Sequence, residues 1–330
     1  MRDLIIVGAG PSGLATAIAA KTSGLDYEVL EKGTLVNAIF HFPRNMVFFT
    51  TPELLEIGGL PFVTPYDKPT QWEALRYYRR VADAFALDIA LGEEFLRLDR
   101  KGDGGFDVVT RGTGGERRRE ARNVVLATGY YDHPNRLDVP GEDLPHVFHY
   151  YDEPHPYYRK RVVVVGGKNS AAIAALELHR AGASVTLVHR RAALAPSIKY
   201  WIRPDIENRI QEGSVAARFE SRLVEIRREN VVLEGKDGRE EAVADAVFLM
   251  TGYTPDVEPL RRVGVRIDAA TLRPEHDPAT LETNVRGLFI AGALASGRET
   301  SRIFIENGRF HGEAIAKAIV ARRGSGNGQV

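Results

Sequence analysis

A chain of 330 residues, 44% of them hydrophobic, is long enough to bury two domain-sized cores. Its 44 Lys and Arg balance 44 Asp and Glu, so no net charge steers it toward nucleic acid or an anionic membrane. It has no cysteine, which excludes disulfides, thiolate metal sites and an internal thiol relay, and any redox chemistry must come from a cofactor.

The opening MRDLIIVGAGPSGLATAIAA imitates a secretory signal in its early basic residue and apolar run, but Gly8, Gly10, Pro11 and Gly13 break the helix a signal core would favour. No window approaches the roughly 20 apolar residues of a membrane span, and a soluble cytoplasmic protein is expected. DLIIV at 3–7 is an apolar, β-branched run, as in a strand buried on both faces of a parallel sheet. GAGPSG follows, then LATAIAAKTSG reads as a helix ending at Gly24 and YEVLEKG as the next strand. In such a unit Gly8 permits the tight turn, Gly10 lets a pyrophosphate approach the backbone, and Gly13 lets helix and strand pack closely. The helix N-terminus, with Pro11 and Ser12, faces the anion. Glu31, twenty-three residues after Gly8, is placed to accept the ribose hydroxyls, with Lys32 beside it.

RNVVLATGYY at 122–131 is a further apolar strand and adds Thr128 and Gly129 to the cofactor-binding positions. The plan then repeats: RVVVVGG at 161–167, a helix in KNSAAIAALELHRAG, and a strand in ASVTLVHRR. Gly167, Lys168, Asn169, Ser170 and Ala171 form this second turn, with Lys168 and Ala171 in register with Gly10 and Gly13. His189 stands where Glu31 stands in the first copy. Glu31 would repel a 2′-phosphate, whereas His189, Arg190 and Arg191 offer donors and positive charge to one, so the first unit reads as an FAD site and the second as an NADPH site. The competing reading of the basic run is a solvated strand end. ADAVFLMTGYTP at 244–255 repeats the Thr-Gly-Tyr strand and contributes Gly252.

This order predicts an α/β protein with two Rossmann-like dinucleotide-binding domains, the NADPH domain (131–253) inserted in a discontinuous FAD domain (1–130 and 254–330). The return should contain VRGLFIAGALASG at 285–297, with Gly292 and Ala293 against FAD. A helix capped by Thr300 or Ser301 should follow, its N-terminus toward the flavin, and GSGNGQV should form a flexible tail.

These residues resemble flavoproteins of the low-molecular-weight thioredoxin reductase type over nearly the whole chain. More narrowly, GAGPSG, NAIFHFP with FFTTPELLEIGGLPF at 37–62, HPYYRKRVVVVGGKNSAAIAALEL at 155–178 and IFIENGRFHG at 303–312 resemble the YpdA-like family of bacillithiol disulfide reductases. The resemblance implies a homodimer in which hydride passes from NADPH to FAD and then to an acceptor, bacillithiol disulfide. A quinone, a ferredoxin or a flavodoxin is the alternative partner.

Two departures bear on mechanism. The thioredoxin reductase dithiol position is taken by His149, Tyr150, Tyr151 and Asp152, and Ser12 stands where YpdA-like proteins commonly carry a cysteine. Serine forms no mixed disulfide, so Ser12 is either a catalytic position emptied of sulfur or a hydrogen-bonding hydroxyl. Relatives in the wider superfamily carry Gly-Asp where this chain has Gly292 and Ala293. Phe40, His41, Phe42, Phe48 and Phe49 line the substrate side of the flavin or pack in the core, and His41 is a candidate proton donor or a structural hydrogen bonder. The irregular spacing of His146, His149 and His155 argues against a metal site. A flavin monooxygenase and a non-enzymatic FAD and NADPH sensor remain open as rivals.

Overall fold

The structure, a computed structural model, describes residues 1–102 and 104–326. The chain divides into two compact units, Met1–His133 with Tyr253–Val330, and Pro134–Gly252.

The first unit begins β1 (Arg2–Val7), α1 (Pro11–Thr22), β2 (Tyr27–Glu31), α2 (Asn37–Phe40), α3 (Pro52–Leu55), α4 (Gln71–Ala84), β3 (Ile89–Leu91), β4 (Glu94–Arg100), β5 (Phe106–Gly112) and β6 (Gly115–Leu126). The second unit holds β7 (Val147–Phe148), β8 (Arg161–Val165), α5 (Asn169–Arg180), β9 (Ser184–His189), α6 (Arg203–Gln211), β10 (Val215–Phe219), β11 (Arg222–Ile226), β12 (Asn230–Gly235), β13 (Gly238–Val243) and β14 (Ala246–Leu249). The chain then returns through α7 (Glu258–Arg262), β15 (Leu288–Ile290), α8 (Ile305–Gly308) and α9 (His311–Gly326).

In the first unit β3, β2, β1, β6 and β15 run parallel. Leu4 and Ile6 face one apolar core while Ile5 and Val7 face the other, which is why the strand carries no polar alternation. β6 changes partner along its length. Its charged first half pairs antiparallel with β5, and its apolar second half pairs parallel with β1 and β15. The second unit repeats the plan: β10, β9, β8, β14 and β7 are parallel, and β11, β12 and β13 form an antiparallel sheet. Both sheets follow the two-copy pattern of glycine turns in the sequence.

The C-terminal segment departs from expectation. Thr300 and Ser301 cap nothing; they lie in a turn, and the helical stretch is split into α8 and α9. Asn307 enforces the first start, its Oδ1 accepting from Phe304 N at 2.8 Å and its Nδ2 donating to Arg302 O at 2.8 Å. The expected tail is also corrected in part, since α9 runs to Gly326 and only residues 327–330 lie outside the described residues. No described helix is long and apolar enough to cross a membrane.

Candidate functional site

In the first unit the parallel strands end side by side. Gly8 N donates to Leu30 O at 2.8 Å, Ala127 N to Val7 O at 2.8 Å and Ala291 N to Leu126 O at 3.0 Å. The chain leaves β1 toward β2 on one side and comes back as β6 on the other, so the carboxyl ends of β1 and β6 flank a switch point, where open α/β sheets bind ligands.

The glycines there are not equivalent. Gly8 has φ +105°, and a methyl on it would lie 2.5 Å from Ala127 O. A methyl on Gly13 would lie 1.9 Å from Gly8 O, so this glycine is what lets α1 start so close to β1. A methyl on Gly10 would meet nothing within 4 Å, and its φ of −72° suits any residue. The fold therefore has no need of glycine at position 10, and the start of α1 is open above it.

Glu31 is 6% exposed, and its carboxylate holds the turn: Oε2 accepts from Ala9 N at 2.9 Å and Oε1 from Gly33 N at 3.0 Å. Ala9 O accepts from Val36 N at 3.1 Å, so both polar backbone groups of Ala9 are engaged, one by the last residue of β2 and one by the segment after it. Each Glu31 oxygen keeps acceptor capacity for a ribose hydroxyl. Lys32 is paired with Asp132 at 2.9 Å.

Ser12 lies in the first turn of α1 with its hydroxyl against two glycines; methyls on Gly292 and Gly308 would lie 2.7 and 2.9 Å from Ser12 Oγ. Gly292 begins a 3-10 turn, Gly292–Ser296, that includes Ala293, and its N–H donates to His311 Nδ1 at 3.1 Å. Thr128 is exposed, and Gly129 takes φ +68° just beyond β6.

The aromatic segment is divided by burial. Phe48 belongs to the core, Phe42 packs partly against it and Phe40 is 53% exposed. Phe42 meets Tyr131 edge-on at 4.9 Å, and Tyr131 meets Tyr253 at 4.7 Å. The tyrosines of the two Thr-Gly-Tyr repeats, Tyr130 and Tyr253, stack at 6.3 Å. Exposed His41 sits on this cluster: its carbonyl accepts from Tyr131 OH at 3.0 Å, and its Nδ1 donates to Asn37 O at 2.9 Å.

The second unit reproduces the strand-end geometry. Gly166 N donates to Val188 O at 3.0 Å, and Met250 N to Val165 O at 2.8 Å. Lys168 is the N-cap residue of α5, exposed, with Ser170 exposed and Ala171 buried beneath it. Asn169 is committed to the protein: its Oδ1 accepts from Lys199 N at 2.9 Å and its Nδ2 donates to Ser197 O at 3.3 Å. Gly252, at φ +85°, closes the strand end, where its carbonyl accepts from Asn135 N at 2.9 Å.

His189 packs against the second turn. A methyl on Gly167 would lie 2.2 Å from His189 Cε1, so the ring lies on the turn, as the Glu31 carboxylate does in the first unit. Burial, reinforced by the charges of Arg191 and Arg190, lowers its pKa below the ordinary 6.5, and its Nε2 is buried without a hydrogen-bond partner. Arg190 and Arg191 are exposed, and neither forms an ion pair among the described residues.

At the thioredoxin reductase dithiol position Tyr151 and His149 make contacts within the protein. Tyr151 is buried and donates to Glu177 Oε2 at 2.8 Å, and burial followed by the Glu177 charge raises its pKa. His149 Nε2 lies 3.6 Å from Glu142 Oε1. Among the described residues no group of three or more His, Cys, Asp or Glu could hold a metal ion. Sequence spacing missed His311 and Asp132, each acting through one contact that no periodicity announces, and it placed Asn169 in the second turn without showing that its side chain is held by Lys199 N and Ser197 O.

Residues 5–292 match the family described as pyridine nucleotide-disulphide oxidoreductase. The chain is 44% identical over 321 residues, 96% of its length and 97% of the relative's, to the bacilliredoxin reductase Bdr of Bacillus subtilis (strain 168). The solved bacillithiol disulfide reductase Bdr (YpdA) from Bacillus cereus is 42% identical with a TM-score of 0.95, covering 97% of this chain and 99% of that one. The Staphylococcus aureus enzyme of the same description is 39% identical with a TM-score of 0.92, covering 98% of this chain and 99% of that one.

Proposed function

The chain belongs to the pyridine nucleotide-disulphide oxidoreductase family and is an FAD- and NADPH-dependent flavoprotein, and from that premise we propose that its acceptor is bacillithiol disulfide, with FAD in the first unit and NADPH in the second. The observation that carries the assignment of the first unit is the glycine turn at the switch point: tight at Gly8 and Gly13, open over Gly10, and bordered by the buried Glu31 carboxylate. Glu31 suits a ribose with free hydroxyls and disfavours a 2′-phosphate by like charge. The exposed Arg190 and Arg191 supply the opposite preference in the second unit, as charge-assisted donors.

FAD held by the first glycine turn and Glu31 would supply two-electron redox chemistry between NADPH and the acceptor. The reaction balances as one NADPH, one proton and one disulfide giving NADP⁺ and two thiols. The chain's own residues must supply the rest without sulfur. Ser12 cannot be oxidised to a mixed disulfide; its hydroxyl packs against Gly292 and Gly308 and acts as a spacer and hydrogen-bonding group beside FAD. His41 donates from Nδ1 to Asn37 O, which leaves Nε2 to carry and release the proton that the departing thiolate requires. The exposed Phe40 beside it offers an apolar wall to the substrate.

The test is anaerobic NADPH oxidation by the FAD-loaded protein with bacillithiol disulfide, for wild type and Ser12→Cys, with a quinone in parallel. The expected result is slow disulfide turnover by wild type, increased in Ser12→Cys, whose thiol restores a covalent route. Quinone turnover with no response to the disulfide in either form would make the acceptor a quinone and end the disulfide proposal.

A further inference from the structure

Gly292 begins the turn that follows β15, the last parallel strand of the first unit, and the side chain of a residue in a later helix holds its peptide. It adopts φ +68°, and its N–H donates at 3.1 Å to Nδ1 of His311, nineteen residues on. An Nδ1 that accepts has no proton, so the ring is the neutral tautomer protonated at Nε2.

The same junction brings three glycines close to α1, two against the Ser12 hydroxyl and one against the backbone of Thr16. Methyls on Gly292 and Gly308 would lie 2.7 and 2.9 Å from Ser12 Oγ, and a methyl on Gly312 would lie 2.5 Å from Thr16 Cα. The strand end, α8 and α9 thus all close on the first turns of α1. His311 stands between Gly308 and Gly312 in sequence, and the N–H it binds belongs to the residue that touches Ser12.

We propose that His311 is a positioning residue for the dinucleotide turn: by accepting from Gly292 N–H it sets how Gly292 seats against Ser12 and, through that seat, how tightly the first unit holds FAD. The inference rests on the reading of the first unit as the FAD site. If His311 were only a packing residue, phenylalanine would serve as well. If it is needed as an acceptor, asparagine serves, because its Oδ1 reaches about as far from the backbone as Nδ1 and accepts without ever taking a proton.

Protonation gives the two forms different pH profiles. Burial, followed by the charge of His276, lowers the His311 pKa below the ordinary 6.5, and a proton on Nδ1 abolishes the acceptor. His276 lies in the 274–283 segment, with its Nδ1 donating to Pro274 O at 2.7 Å. The other charged groups on the packed elements are Lys21 at the far end of α1, Glu306 in α8 with Arg309 after it, Glu313, Lys317, Arg322 and Arg323 in α9, and Glu275, Asp277 and Glu282 in the 274–283 segment; the turn Gly292–Ser296 carries none.

The experiment is fluorescence titration of FAD into the full-length FAD-free protein from about pH 8 to 5, for wild type, His311→Asn and His311→Phe, with the melting curve of each FAD-free form. Wild-type affinity should fall about tenfold as His311 titrates, and His311→Phe should be weaker by about tenfold already at pH 8, one lost hydrogen bond in each case. His311→Asn should bind as wild type does at pH 8 and lack the wild type's acidic loss. Equal affinity of wild type and folded His311→Phe at pH 8, or an acidic loss in His311→Asn that matches wild type, overturns the proposal. If His311→Phe fails to melt cooperatively, the pH profiles of wild type and His311→Asn decide alone. Failure of wild type itself to bind FAD would refute the FAD assignment instead.

Discussion

Replacing Gly10 should remove the cofactor and leave the fold intact, whereas replacing Gly13 should damage the fold itself. At Gly10 the backbone is already in the extended region, φ −72° and ψ 175°, and a methyl meets nothing within 4 Å. Loss of a glycine N-cap and reduced entropy of the unfolded chain each amount to about 0.5 kcal/mol and oppose one another. The FAD-free Gly10→Val protein should therefore melt within about 2 °C of wild type, as expected of a change near 0.5 kcal/mol in a domain of this size. At Gly13 the methyl would sit 1.9 Å from Gly8 O, a backbone atom with no rotamer to relieve the overlap, so Gly13→Ala should cost about 3 kcal/mol or more. Differential scanning fluorimetry of FAD-free and FAD-saturated proteins separates the two effects. Wild type should gain stability with FAD by mass action; Gly10→Val should gain none and should lose its flavin on ultrafiltration. A Gly10→Val protein that purifies with full FAD would refute the idea that the pyrophosphate lies over Gly10, and one that unfolds without FAD would refute the steric argument.

Arg190→Gln and Arg191→Gln should each raise the Michaelis constant for NADPH by about tenfold, a modest figure because exposed charges are screened, with that for NADH nearly unchanged; equal weakening toward both nucleotides would show that these side chains do not read the 2′-phosphate. Glu31→Ala leaves the N–H groups of Ala9 and Gly33 without partners, so even the FAD-free protein should lose about 2 kcal/mol; a urea midpoint equal to wild type contradicts that. His189 should make stability fall in acid. Its folded pKa is lowered from 6.5 by burial and the Arg191 and Arg190 charges, so the unfolded state takes the proton first; its contribution is full above the unfolded value and is lost as pH falls below it toward the folded one. His189→Gln should flatten part of the decline in melting temperature on acidification, and an unchanged slope would count against a neutral His189.

The two glycine turns were legible because their requirements are local. DLIIV and RVVVV lack polar alternation, and Gly8 and Gly166 each precede a register residue, Glu31 or His189, by the same distance. That register gave position ahead of chemistry: both residues lie on the peptide after the first glycine, but one is a buried carboxylate and the other an imidazole whose pKa is lowered by burial and two arginines, a difference set by packing that spacing does not carry. The C-terminal helix was read too early because its apolar spacing continues through Ile303 and Ile305. Asn307 bonding back to Phe304 N decides the start, and a single side chain of that kind is silent in a periodicity. Ser12 shows the same limit. The sequence puts it in the first turn of α1, but its contact with Gly292 and Gly308 depends on segments some three hundred residues away.

The central claim is that a chain without cysteine carries electrons from NADPH through FAD to a disulfide, and its most direct measurement is the stoichiometry of anaerobic turnover. FAD-loaded wild-type protein is mixed with NADPH and bacillithiol disulfide, nicotinamide oxidation is followed by absorbance, and released thiol is titrated in the same sample. Two thiols should be released for each NADPH consumed, with NADH far less effective than NADPH. NADPH consumption with no thiol released, or thiol release that does not depend on FAD, would contradict it.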